Sequence, residues 1–189
     1  MSVMSSKNKK MDKHMYYLKI AEAIALKCNC LSAETGALIV KDDAIISAGY
    51  IGAPRKTMDC MELGFCIRRK NKVPSGTGYE MCRSVHSEMN AIINAARAGV
   101  SLLGGDLYMN TKNKINVTEP KLADAYPCLM CKKIIINAGL NRVICRKADG
   151  SYTIYKVTDW VKDWQEIEDI RQDKVKYGLD YYGDDKKKK

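Results

Sequence analysis

The sequence predicts an α/β domain in which one sheet carries helices on both faces. Three observations lead there. Apolar runs of strand length stand at 36–40, 44–49, 106–110 and 142–145. Stretches with helical spacing lie before and between them, and alternating strands and helices stack as a sheet between helical layers. Two of the expected helices begin on chemistry-bearing residues, His86 to Glu88 and Cys128 to Cys131.

Asp12 is placed to cap a first helix running to about Lys27, with Tyr17, Ile20, Ala21, Ile24 and Ala25 as its buried stripe. His14, near its start, reads as a surface residue. Cys28 to Ser32 breaks the pattern. Gly36 to Val40 is a strand, Lys41 to Asp43 a turn, and Ala44 to Gly49 the second strand of a hairpin. The following loop, Gly49 to Lys56, has glycines that permit close backbone approach. Its Arg55 and Lys56 suit either a phosphate or plain solvent.

Met58 to Gly78 has poor periodicity and a Pro74-Ser75-Gly76 turn. A long irregular segment in a compact domain needs a staple or a function. Cys30, Cys60, Cys66 and Cys82 offer a closed second zinc site, with Glu80 or a histidine as substitutes for Cys66. The alternative is that some are simply buried thiols. Ser84 is the expected cap of a helix carrying Met89, Ile92, Ile93 and Ala96, which Gly99 ends. Asp106 to Asn110 is a third strand, and Thr111 to Ala125 a polar, lysine-rich connector. Pro127 suits the first position of a helix over Leu129 to Ala138, with Gly139 as its C-terminal cap. Arg142 to Cys145 is a strand with Cys145 as a core thiol, and Tyr152 to Tyr155 an edge strand. Trp160, Trp164, Ile167 and Ile170 mark an amphipathic terminal helix.

The 189 residues suffice for one domain, expected over 12–175, with a disordered basic stretch at 1–11 and a lysine-rich tail at 176–189. Hydrophobic content of 46% and charged content of 29% fit a soluble globular chain. There is no apolar run of about 18 residues to span a membrane, and the basic N-terminus lacks the apolar core of a secretory signal. Eight cysteines with ligand-like spacing argue for metal in a reducing compartment, so the cytoplasm is expected. Part of the net charge of +10 sits on Lys7, Lys9, Lys10 and Lys186 to Lys189. No aromatic residues interleave with these lysines, so they read as solvated charge and not as a nucleic-acid platform.

A catalytic zinc takes three protein ligands and keeps an open fourth position for water. His86, Cys128 and Cys131 supply an imidazole and two thiolates. Cys128 and Cys131, three apart at a helix start, share a face. The positive ends of two helices would then face one metal, favouring thiolate and hydroxide. Glu88 is too near His86 to be a convenient ligand and suits the water's proton. Cys-x-x-Cys alone is equally a redox pair or half a structural site. Joined to His-x-Glu at a second helix start, with Pro127 ahead of it, the pattern selects a catalytic zinc.

His-x-Glu followed by Pro-Cys-x-x-Cys is the signature of the zinc nucleobase deaminases. The chain resembles the deoxycytidylate deaminase family from about Met11 to Arg146. The carrying segments are Thr35 to Val40, Gly49 to Arg55, Pro74 to Gly76, His86 to Ile92 and Pro127 to Cys131. The resemblance implies a cytidine deaminase-like, three-layer α/β/α sandwich around a mixed sheet of about five strands. It implies hydrolysis of dCMP to dUMP and ammonia, with dCTP as a second candidate substrate, supplying dUMP for dTMP synthesis. In that scheme a zinc-activated water attacks C4, and Glu88 carries its proton to N3 and then to the leaving amine. Tyr126 matches a base-contacting position, and Asn90, Arg55 and Lys56 are the other expected substrate contacts. The resemblance also implies a homo-hexamer activated by dCTP and inhibited by dTTP, with Mg2+ accompanying the triphosphate. A second zinc of some members matches Cys30 and Cys60.

The chain departs from the family at three places. Ile51 stands where the glycine loop usually carries Asn or Thr, which removes a polar contact to sugar or effector. Ser87 replaces the usual Ala between His86 and Glu88. The connector over Thr111 to Ala125 is longer than usual, which suits a lid or a change in substrate size. Two other function classes fit parts of the pattern. One is a polynucleotide deaminase acting on tRNA or single-stranded DNA, although tRNA-editing relatives lack the Cys60 to Cys82 segment. The other is a non-catalytic zinc scaffold that binds nucleotides.

Overall fold

The computed structural model describes residues 10–74 and 77–164. Both expected terminal extensions lie mostly outside these residues, as do Ile167, Ile170, Ser75 and Gly76. Asp12 opens the first helix, α1 (Lys13–Ala25), its carboxylate accepting the Met15 N–H at 2.9 Å. β1 (Ala33–Lys41) and β2 (Ala44–Tyr50) form the hairpin, joined by Asp42 and Asp43 at φ 49° and 63°. Positive φ at both turn residues matches the strand twist, and aspartate tolerates it.

The segment expected to be irregular instead contains α2 (Cys60–Leu63) and α3 (Ile67–Lys70), and a 3-10 turn at Tyr79–Met81 follows it. α2 is held by a reciprocal capping box between Asp59 and Glu62. Such local bonds carry no periodicity, so the pattern of apolar residues does not announce them. The chain continues through α4 (Ser87–Ala98), β3 (Asp106–Asn113), β4 (Lys121–Ala123) and α5 (Leu129–Asn137). It then forms β5 (Arg142–Arg146), β6 (Tyr152–Lys156) and α6 (Val157–Asp163).

The six strands make one sheet in the order β2-β1-β3-β5-β6, with β4 added beside β3. β3 and β5 run parallel and every other pair antiparallel, so the sheet is mixed. Successive residues of a strand face opposite ways. Ala37, Ile39, Leu107, Met109, Val143 and Cys145 join Ala91, Ala95, Cys131 and Ile135 of α4 and α5. Leu38, Val40, Tyr108 and Ile144 join Tyr17, Leu18 and Ala21 of α1. The two cores are the two interlayer spaces of an α/β/α sandwich.

Some elements correct the sequence reading. Leu18 is buried in the α1 stripe, while Ile20 and Ile24 are half-buried at its margin. His14 is not a surface residue; it is half-buried, with Nδ1 3.0 Å from the Tyr108 hydroxyl, which burial leaves in need of a partner. The polar connector is an extension of the sheet, with Thr111, Lys112 and Asn113 opposite Ala123, Leu122 and Lys121. Lys112 pairs with Glu22 at 2.7 Å, and Lys114 donates to the Cys30 carbonyl at 3.1 Å. These contacts tie the first part of the connector to α1 and to the segment before β1. Trp160 is buried on the inner face of α6, whereas Trp164, its C-cap, is exposed. Among the described residues no helix is long and apolar enough to cross a membrane.

Candidate active site

Two helix N-termini carry the site. His86 is the N-cap of α4, with extended backbone and no side-chain capping bond. Ser84, the expected cap, lies buried two residues earlier. Cys128 is the N-cap of α5, also without a side-chain capping bond, so Pro127 precedes the helix instead of opening it. Neither cap side chain is spent on its own helix. Cys131 follows on the first turn of α5, fully buried.

His86 Nδ1 lies 3.4 Å from Cys128 Sγ and 3.4 Å from Cys131 Sγ. A tetrahedral zinc with ordinary Zn–N and Zn–S bonds separates such atoms by about 3.5 Å. The ligand atoms of His86, Cys128 and Cys131 all lie within 4.8 Å of one another, alone in this among the described residues. The donor set, one imidazole and two thiols, fits zinc and leaves a fourth position to be filled.

Charge is shared unevenly within the donor set. Its hydrogen bond with Cys131 drives the Cys128 thiol well below the ordinary thiol range, against burial and with help from His86. The same bond and burial push Cys131 upward, so the thiol pair keeps one proton. Burial presses His86 down, but its bond with Cys128 and the Glu88 carboxylate outweigh this and raise it.

Glu88 is 3% exposed, close enough to Cys131 to accept from its thiol. Its Oε2 lies 2.9 Å from the hydroxyl of Ser87, itself fully buried. The sequence pattern assigns no role to Ser87 or to Tyr79. The Tyr79 ring stands edge-on to His86, and the Arg68 guanidinium lies 4.4 Å from the centre of the tyrosine ring. Nothing in residue spacing marks Tyr79 as a neighbour of the histidine.

The glycine loop is joined to the metal-binding stretch. Gly52 and Val85 exchange backbone hydrogen bonds of 3.1 and 2.8 Å directly before His86. Gly49 lies against the first turns of α4, where a Cβ would fall 2.3 Å from Ala91 N and 2.5 Å from Ser87 O. Asn90 is half-buried and donates to the carbonyls of Tyr50 at 2.8 Å and Val85 at 3.4 Å. Arg55 is exposed and donates to Asn94 Oδ1 at 2.7 Å, while Lys56 is exposed at φ 65°. Tyr126 packs edge-to-face on Tyr155, with centroids 5.0 Å apart, and Lys132 Nζ stands 5.1 Å from its ring centre.

Cys30, Cys60 and Cys66 are buried and Cys82 half-buried. Burial raises Cys60, and the neighbouring thiols Cys30, Cys82 and Cys66 add to the effect. The four therefore share one neighbourhood, but no three of them meet the ligand spacing reached by the His86 group.

The zinc-binding region of cytidine and deoxycytidylate deaminases matches residues 11–147. The deoxycytidylate deaminase of Mycobacterium phage D29 is 31% identical over 137 residues, which cover 70% of this chain and 92% of the phage protein. The deoxycytidylate deaminase of Schizosaccharomyces pombe is 28% identical over 129 residues, and the chain spans only 35% of its length. A dCMP deaminase of cyanophage S-TIM5 is 23% identical with a TM-score of 0.48, over 71% of this chain and 82% of that one. With the family match running from α1 through β5 and both helix starts, the chain belongs to the cytidine and deoxycytidylate deaminase family, which carries a zinc-binding region.

Proposed function

We propose that this chain hydrolyses dCMP to dUMP and ammonia, with His86, Cys128 and Cys131 as zinc ligands and Glu88 as the proton carrier. The observation that carries this reading is a buried carboxylate placed beside a three-donor metal group. The phage D29 relative, a deoxycytidylate deaminase covered over 92% of its length, supports the substrate. Zinc bound there brings a water's pKa toward neutrality and makes it a nucleophile at neutral pH.

The rest is done by side chains. Glu88, two residues from His86, takes the attacking water's proton to N3, and then carries the proton of the new C4 hydroxyl to the departing amine as the C4 carbonyl forms. Two helix N-termini directed at the site favour the negative charge that develops there. Asn90 holds the glycine loop against α4 through the Tyr50 and Val85 carbonyls and shapes the floor on which the nucleotide sits. Tyr126 contributes to the base-binding wall. Arg55 and Lys56 take the phosphate, Arg55 by exchanging its Asn94 partner. The wider reading includes dCTP as a second substrate, a homo-hexamer, and dCTP and dTTP as effectors with Mg2+. A structural zinc on Cys30, Cys60, Cys66 and Cys82 belongs to it too; its support is the shared neighbourhood of these thiols.

The test is turnover by the purified, zinc-loaded chain, following ammonia release and loss of the cytosine chromophore with dCMP, dCTP and deoxycytidine. Preferential conversion of dCMP is expected. Inert cytosine nucleotides together with inosine formation in tRNA would replace this reading with a polynucleotide deaminase. No turnover of any substrate would leave a zinc scaffold. Metal analysis of wild type and Cys60→Ser settles the structural site: one zinc per chain in both, with equal thermal midpoints, removes it.

A further inference from the structure

We propose that Ser87 is a positioning residue for the proton carrier: its hydroxyl holds Oε2 of Glu88 and leaves the other carboxylate oxygen to exchange protons. The inference rests on Glu88 having the role proposed above. Ser87 lies on the stripe of α4 that faces the sheet, aligned with Ala91 and Ala95, and all three are buried to 1% exposure or less. Small apolar side chains satisfy that packing, so a hydroxyl there has no packing purpose. A buried hydroxyl without a partner is destabilising. The Ser87 hydroxyl therefore donates to Glu88 Oε2, at 2.9 Å.

The contact matters because Glu88 has many orientations open to it in principle. A glutamate turns about three bonds, and its terminal torsion has broad wells. The backbone of Ser87 cannot drift, since its carbonyl lies against Gly49 at a distance that excludes even a Cβ. The hydroxyl thus anchors one carboxylate oxygen to the rigid junction of α4 and β2. Proton transfer needs a carrier held within hydrogen-bond reach of the proton it takes, and small misplacements are costly.

The test compares zinc-loaded wild type with Ser87→Ala. Alanine already fills the two equivalent stripe positions, so the fold and zinc content should be retained. The expected result is a fall in kcat of roughly tenfold with KM within twofold, since the loss acts on a catalytic geometry and not on binding. In a Glu88→Gln background the same substitution should change kcat less than twofold, because the residue it acts through is already disabled. A crystal structure of zinc-loaded Ser87→Ala should show the Glu88 carboxylate in more than one rotamer. An unchanged kcat, an equal loss in the Glu88→Gln background, or a single unmoved Glu88 rotamer would overturn the inference. If wild type proves inert on dCMP, the substrate reading falls, and the rotamer comparison still decides the role of Ser87.

Discussion

The Tyr79 ring meets the His86 imidazole edge to face, with centroids 5.0 Å apart and planes at 88°. Arg68 covers the tyrosine's face and donates to the carbonyls of Pro74 and Thr77. The imidazole is restrained here by an aromatic contact from the segment between the glycine loop and α4. Groups behind a metal ligand typically contribute ten- to a hundredfold in metal affinity or activity. Tyr79→Leu should therefore weaken zinc binding by at least about tenfold, measured by competition with a chelator. Affinity equal to wild type would show that the cap and thiols fix His86 unaided.

Glu88 and Cys128 should separate chemistry from metal. Glu88→Gln retains all three donors, so zinc content stays at the wild-type level while kcat falls by at least ~10²-fold. Cys128→Ala and His86→Ala each remove a donor from a three-donor set, so metal and activity should disappear together. Metal analysis beside turnover checks this. A Glu88→Gln protein within a few-fold of wild-type kcat would remove Glu88 from the reaction.

The unequal thiols predict how binding depends on pH. Without metal, Cys128 is ionised at neutral pH and Cys131 keeps its proton. His86, raised from its ordinary value by its bond with Cys128 and by Glu88 against burial, also holds a proton more readily. Zinc takes thiolates and a neutral imidazole, so binding near pH 7 should release roughly one to two protons. These protons compete with the metal, so affinity rises with pH through the neutral range and weakens on acidification. Calorimetry of zinc binding in buffers of different ionisation enthalpy gives the count. Release of clearly more than two protons would mean that the cysteines do not share one.

Much of this site was legible because its chemistry is tied to local spacing. His86, Cys128 and Cys131 stand at helix starts, and the continuous apolar run of Ala37 to Val40 marks β1, whose residues enter both cores. The misplaced features depend on contacts that have no period. Whether Ser84 or His86 caps α4 is decided by tertiary placement of the imidazole, since either residue can precede a helix. The pairing of Lys121 to Ala123 with β3 is set by register across a polar hairpin, where no apolar pattern exists to read. Tyr79 reaches His86 only because α3 and the 3-10 turn fold back. The partner of Ser87 depends on a rotamer of its neighbour.

The seam between β2 and α4 should couple stability to metal binding. Gly49 accommodates the helix backbone so closely that a Cβ would intrude on Ala91 N and Ser87 O. These are backbone atoms of the helix that begins at His86, so the strain cannot be relieved by a rotamer change. Gly49→Ala should lower stability by about 1–3 kcal/mol, as overpacked sites do, and should weaken zinc binding by tilting the N-terminus of α4. Gly64 is a suitable comparison, being a left-handed C-cap at φ 71° with nothing within 4 Å of its added Cβ. Gly64→Ala should cost about 1 kcal/mol through backbone conformation alone and leave zinc affinity as it was. Urea unfolding with and without chelator, run on both variants, distinguishes the two effects. Equal zinc affinities in the Gly49 and Gly64 variants would show that the strand–helix seam does not position His86.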